Sequence, residues 1–255
     1  MTYEAYGQIE HEQPFVLRLE GDAGGLLYFG SYHTTDPDDP QVDSINHLWQ
    51  MFEPTVALAE ARKARRGSLE SGVKTFGESA APVWLARDDG LPVYTFEPPL
   101  ELETATLLES WSKERLLIFY VLRSYTARGV AGRSDRQARE LIRERGRWPG
   151  LDRAISSVAH LDSIWQDEFP DGPGWRDLPW QATWPTGSDT WLNHVSADVN
   201  RFRDQYMVAL ITSLLERGER VFAVVGSSHV IMQEAALREA VTDLGAATHD
   251  PEGKP

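Results

Sequence analysis

The 255-residue chain contains no cysteine. That absence excludes a disulfide framework, a thiolate nucleophile and any zinc or iron–sulfur centre held by sulfur. Long hydrophobic runs are missing too. Nothing approaches the roughly 20 apolar residues that cross a bilayer, so no membrane partner is expected. Basic residues are few: 25 Lys+Arg against 39 Asp+Glu leave a formal charge of −14 at pH 7. Such a surface repels phosphate and shows no basic patch, so nucleic acid is not an expected partner. The opening residues Met1-Thr2-Tyr3-Glu4-Ala5-Tyr6 lack the basic and apolar regions of a secretory signal, and a cytoplasmic location is expected. Several motifs are also missing. Without Gly-x-Ser-x-Gly, Ser227 and Ser228 are poor serine-hydrolase nucleophiles. Without His-Glu-x-x-His, a Walker A loop or Gly-x-Gly-x-x-Gly, neither a zincin nor a nucleotide site is supported.

What is present is the composition of a folded protein, 41% hydrophobic and 10% aromatic. Two short apolar runs, Phe15–Leu19 and Leu26–Phe29, flank a glycine-rich connection and read as a hairpin, or as a strand followed by a Gly-rich connection. A helix is expected over 42–52, where Val42, Ile45, Leu48, Trp49 and Phe52 keep helical spacing. Strands are expected at 55–60, 91–96 and 221–225, with a helix near 78–88 and a final helix to about Val241. Residues 61–74 read as a basic, flexible loop, and His249–Pro255 as a disordered tail. Strands alternating with helices predict an α/β class: a mixed, largely parallel central sheet flanked by helices.

The middle of the chain is helical. Leu108, Trp111, Arg115, Ile118, Leu122 and Tyr125 trace one face of a long helix. Ser134 and Gln137 form a capping box for a second helix ending at Gly146, and Leu151 to Trp165 supply a third. Residues 170–191 carry Trp175, Trp180, Trp184 and Trp191 without periodicity and read as a Trp-packed loop. A helix of some 20 residues then opens at Ser196, with an apolar arc centred near Phe202, Tyr206 and Ser213. One domain spanning 1–255, with a helical and Trp-rich insertion over 102–195, is the expected organisation.

In parallel sheets, sites form beyond the carboxyl ends of the strands. Three strands deliver polar residues there: His33 after Gly30, Glu60 after Ala59, and His229 after Gly226. Two imidazoles and a carboxylate so placed suit a single divalent metal (manganese, cobalt, zinc or iron) with a bound water. They equally suit direct general-base chemistry. Arg203 borders the apolar arc of its helix while Arg201 points away, which makes Arg203 a candidate partner for a carboxylate or oxyanion. Glu78, at the start of a helix beside the core, is a further candidate; the competing reading is a favourable charge at a helix N-terminus. The acidic loop Asp36, Asp38, Asp39 lacks the pattern of an EF-hand and reads as solvated, and His194 is a weak candidate.

Taken in order, Gly30-Ser31-Tyr32-His33, Thr55–Glu60, Arg203–Met207 and Val221–His229 resemble the TraB/GumN/TIKI family. That family has paired Gly-x-x-His motifs, a Glu closing an early strand and an Arg on the helix before the second motif. Phe76-Gly77-Glu78, Trp84-Leu85-Ala86 and Gly90–Val93 are similar to its second βα unit. The resemblance covers about 15–100 and 195–245, within a superfamily that includes erythromycin-esterase-like and ChaN-like haem-binding proteins. It implies a mixed α/β core, a helical insertion, and a site built from His33, Glu60, Arg203 and His229, with Glu78. It further implies hydrolysis of a peptide or ester bond in a small-molecule or peptide substrate. In TIKI members this chemistry depends on metal; in the esterase branch a His/Glu pair activates water without one. The second motif continues Val230-Ile231-Met232-Gln233-Glu234 without the glycines usual there. An alternative expectation is a haem or other planar-ligand binder walled by the tryptophans, without catalysis.

Overall fold

The computed structural model describes residues 1–21, 24–60, 67–127, 129, 132–187 and 189–248. Part of the expected basic loop, 61–66, and the tail 249–255 lie outside the described residues. The chain divides into two compact units. A sheet unit takes residues 1–2, 8–97 and 204–255, and a helical unit takes 3–7 and 98–203.

Among the described residues the sheet unit holds five strands: β1 (Phe15–Glu20), β2 (Gly25–Ser31), β3 (Val56–Ala59), β4 (Val93–Thr95) and β5 (Arg220–Gly226). Their order is β1-β2-β5-β3-β4. Only the β1–β2 hairpin is antiparallel; β2–β5, β5–β3 and β3–β4 are parallel. The mixed, mostly parallel α/β class expected from sequence is therefore observed. β2, β3 and almost all of β5 are buried along their length. This is why they read as unbroken apolar runs rather than alternating ones: helices cover both faces of a parallel sheet.

Alternate residues of each strand serve opposite layers. Leu26, Tyr28, Val56, Leu58, Val221, Ala223 and Val225 face one core, with Met207, Ile211 and Leu214 of α9 (Trp191–Glu216) and Val230 and Leu237 of α10 (Ser227–Thr248). Leu27, Phe29, Ala57, Phe222 and Val224 face the other. There they meet Ile45, Trp49 and Phe52 of α2 (Pro40–Phe52) and Ala81, Leu85 and Ala86 of α4 (Ala80–Asp88). Phe222 packs edge-to-face on Trp49 at 5.1 Å and tilted against Phe52 at 6.4 Å. Truncating so enclosed a ring costs about 3–5 kcal/mol. β2 hands the chain to α2 on one face, whereas its parallel neighbour β5 hands it to α10 on the other. The carboxyl ends of β2 and β5 thus flank a topological switch point, where a crevice opens in such sheets.

Two local expectations change here. Residues 69–74, expected within a loop, belong to α3 (Leu69–Phe76), because the Ser68 hydroxyl accepts from the Ser71 amide and caps the turn. The last helix is longer than expected: β5 runs straight into α10 with no loop between them.

The helical unit comprises α1 (Tyr3–Gly7), α5 (Leu100–Leu107), α6 (Lys113–Thr126), α7 (Asp135–Arg145), α8 (Val158–Glu168) and α9 as far as Arg203. The long helix expected across 108–125 is broken: Leu108 caps α5, and Ser112 starts α6 by accepting from the Arg115 amide. From Leu116 to Leu122 every residue of α6 is buried, the signature of a central helix rather than an amphipathic one. Ser134 caps α7 as expected, accepting from the Gln137 amide. Leu151 and Ile155 lie before α8, not within it. In the Trp-rich segment Trp175 is 1% exposed and donates to Asp162 at 2.7 Å, pinning an irregular stretch. Trp180 and Trp184 remain 48% and 40% exposed.

Candidate functional site

His33 lies two residues beyond β2, whose last residue, Ser31, is in register with Gly226 at the end of β5. Its ring rests over that glycine: a Cβ on Gly226 would stand 3.5 Å from His33 Nε2. The other nitrogen, Nδ1, is 3.2 Å from Glu78 Oε1. Glu78 is one residue before the N-cap of α4, yet its carboxylate does not serve that helix alone. Oε1 accepts from the Ser31 hydroxyl at 2.7 Å and Oε2 from the Thr34 amide at 3.0 Å, while the Glu78 amide donates back to the Thr34 carbonyl. The carboxylate therefore clamps the exit of β2 and orients the imidazole. The helix-terminus reading of Glu78 is the lesser part of its role.

The electrostatics follow from this geometry. The hydrogen bond to Glu78 raises the His33 pKa above its ordinary 6.5; partial burial opposes the rise, and the charges of Glu60 and Glu78 add to it. Burial would push Glu78 up, but donors from His33, Thr34 and Ser31 outweigh it and leave the carboxyl below its ordinary 4.5. Glu60, one residue beyond β3, is thus close enough for its charge to act on His33.

His229 stands in the first turn of α10, not on a loop after the strand. Its Nδ1 is 2.6 Å from Asp204 Oδ1 on α9, and the two side chains are 10% and 12% exposed. The same carboxylate oxygen accepts from Gln233 Nε2 at 2.7 Å, and Gln233 Oε1 accepts from the Tyr28 hydroxyl at 3.0 Å. Val230–Glu234, where the expected glycines are missing, is simply helix, and it supplies Gln233 to this network.

His33, Glu60, Glu78 and His229 therefore gather at one end of three adjacent parallel strands. They do not form a ligand set: among the described residues no group of three or more His, Asp or Glu is placed to hold a metal ion. Each imidazole presents its Nδ1 to a carboxylate instead. Arg203 does not border the apolar arc of α9 but lies within it, 8% exposed. It counts with the helical unit, where its charge acts on the buried Tyr120, which donates to Glu103 at 2.7 Å. Arg201 points out and pairs with Asp198. His194 sits in the first turn of α9, paired at 2.8 Å with the exposed Asp189. In the acidic loop, Asp39 caps α2 by accepting from the Gln41 amide.

Asp204 was the residue missed from sequence. It follows Arg203 on α9, whose buried arc runs through Val199, Arg203, Asp204, Met207, Ile211 and Leu214. That arc is rotated roughly 100°, one residue, from the expected one. The half-buried rings of Phe202 and Tyr206 drew the expected arc to the wrong side.

Compared with family models, with curated proteins and with solved structures, the chain matches none.

Proposed function

We propose that the sheet unit is a hydrolase of the erythromycin-esterase-like type, acting on an ester or peptide bond with water activated by His33 and Glu78. The observation that carries this reading is the 3.2 Å contact between His33 Nδ1 and the buried Glu78 carboxylate. An ionised carboxylate only accepts, so Nδ1 carries the proton and Nε2 keeps its lone pair. Nε2 lies on the side of Gly226, at the carboxyl end of β5. A water there loses its proton to Nε2 as its oxygen attacks the carbonyl carbon. Glu78 holds the tautomer and steadies the imidazolium that results, and the negative charge of Glu60 favours the same cation. No step is routed through a metal, since His33, Glu60 and His229 are not arranged as ligands.

The test uses the full chain against panels of chromogenic esters and peptides, with and without a chelator. Turnover that survives chelation and falls by about 10²–10⁴ in His33→Ala is expected. Unchanged turnover in both His33→Ala and His229→Ala would end the hydrolase reading.

A second reading, a binder of haem or another planar ligand, is favoured by the exposed pair Trp180 and Trp184, whose rings meet edge to face at 3.9 Å. Haem titration decides it: no Soret shift at micromolar protein removes it.

A further inference from the structure

We infer that His229 is the proton donor to the leaving group and that Asp204 is its positioning residue, with Gln233 and Tyr28 holding Asp204 in place. The chemical role rests on the hydrolase reading above; the proton placement rests on geometry alone. Tyr28 OH donates to Gln233 Oε1 at 3.0 Å, which turns the amide so that Nε2 faces Asp204. Gln233 Nε2 then donates to Asp204 Oδ1 at 2.7 Å, and His229 Nδ1 reaches the same oxygen at 2.6 Å. Read along its length, the network allows one assignment. The amide nitrogen donates to the carboxylate, with Met207 Sδ at 3.2 Å as a weaker second acceptor, so the phenol donates to the amide oxygen and the ionised carboxylate accepts from Nδ1. His229 is left with Nε2 as its working atom, at the carboxyl end of β5.

Burying four polar side chains costs more than burying apolar ones of the same shape, and the gain is orientation. Tyr28 is anchored in the buried interior strand β2, with its ring edge-to-face on Phe96 at 6.2 Å. Gln233 lies one helical turn after His229, on the same face of α10. The imidazole is thus braced from the sheet, from α9 and from its own helix.

In the reaction, the water proton passes to His33 Nε2 while oxygen bonds to the carbonyl carbon. His229 enters the step as the imidazolium, with a proton taken from solvent at Nε2. As the bond from that carbon to the leaving oxygen or nitrogen breaks, the leaving atom takes this proton. His229 returns to its neutral Nδ1–H form, and both imidazoles exchange protons with solvent before the next turnover. Two His–carboxylate pairs, one beyond the end of β2 and one between α9 and α10, thereby divide the base and acid roles.

The experiment is tautomer assignment by long-range 1H–15N correlation on the full chain labelled at histidine. In the wild type, neutral His229 is expected as the Nδ1–H form with a bare Nε2; in Asp204→Asn the Nε2–H form is expected to dominate. A wild-type His229 in the Nε2–H form overturns the positioning without any variant, and so does an unchanged tautomer in a folded Asp204→Asn protein. Should Asp204→Asn not fold, Tyr28→Phe, which keeps the ring, serves instead. There a mixture of tautomers supports the inference, and a pure Nδ1–H form with full activity overturns it. With a substrate in hand, Asp204→Asn is expected to lose on the order of 10²–10⁴ in kcat with KM nearly unchanged. Full kcat together with an inverted tautomer removes the acid role and leaves the hydrolase reading standing. If the wild type turns over no ester or peptide, the hydrolase reading fails, while the tautomer still decides the positioning.

Discussion

The two histidines at the switch point are each held through Nδ1 by a carboxylate, yet their surroundings differ. His33 is 78% exposed and only its partner, Glu78, is buried. His229 and Asp204 are both nearly enclosed. In the first pair the carboxylate is fixed by the strand exit and the imidazole can reach water. In the second, both members depend on each other and on Gln233. The contrast separates a pair whose imidazole is open to solvent from a pair held within the fold.

The largest expected effect follows from enclosure. Asp204→Ala strips a partner from two buried donors, His229 Nδ1 and Gln233 Nε2, and should cost about 2–4 kcal/mol in urea unfolding. Glu78→Ala takes an acceptor from the Thr34 amide and from two side chains that retain other options. Ser31 Oγ also reaches the Val225 carbonyl, and His33 can turn to solvent. A loss of about 1–2 kcal/mol is expected. Equal losses in the two variants would break the comparison.

The glycines under the pairs give the next contrast. A Cβ on Gly30 would stand 2.8 Å from Ser227 Cα and 2.9 Å from the Phe15 carbonyl, backbone that cannot give way, so Gly30→Ala should destabilise by about 1–3 kcal/mol. A Cβ on Gly226 meets only His33, at ordinary contact distance. Gly226→Ala should therefore leave the melting temperature nearly unchanged while crowding Nε2 and slowing turnover.

The pH dependence sharpens the difference further. The His33 pKa is raised, so protonated His33 contributes stability fully below its unfolded value of 6.5 and loses it as pH rises through the folded value. Glu78 is lowered, so it contributes above 4.5 and loses this as pH falls through its folded value. Between those two ordinary values the pair contributes most. Proton NMR should place the His33 pKa above 6.5, and Glu78→Gln should bring it down; no change would refute the pairing. The smallest effect is expected from Asp38→Asn in the exposed acidic loop, within about 0.5 kcal/mol.

Much of the sheet unit was legible because its signals are local. β2, β3 and β5 announce themselves as apolar runs, and a His or Glu just past such a run lands at the sheet's carboxyl end whatever else the chain does. The pairing of these residues was not legible. His33 and Glu78 are 45 residues apart, and His229 and Asp204 are 25 apart. The first pair meets where the turn before α4 closes on the exit of β2, and the second where α9 meets the start of α10. The helical unit was harder still. The broken helix at 108–112 depends on a cap at Ser112, and the phase of α9 depends on which side packs, which Phe202 and Tyr206 obscure.

By itself, the sequence determined the α/β class, the central strands and the positions of His33, Glu60 and His229 at strand ends. These depend on apolar periodicity and chain direction, which are properties of short segments. Tertiary structure alone decided that Glu78 serves His33, that Asp204 serves His229, and that Arg203 is buried within its helix arc. Each of these depends on strand order and helix phase, and both are set by how distant segments bury one another.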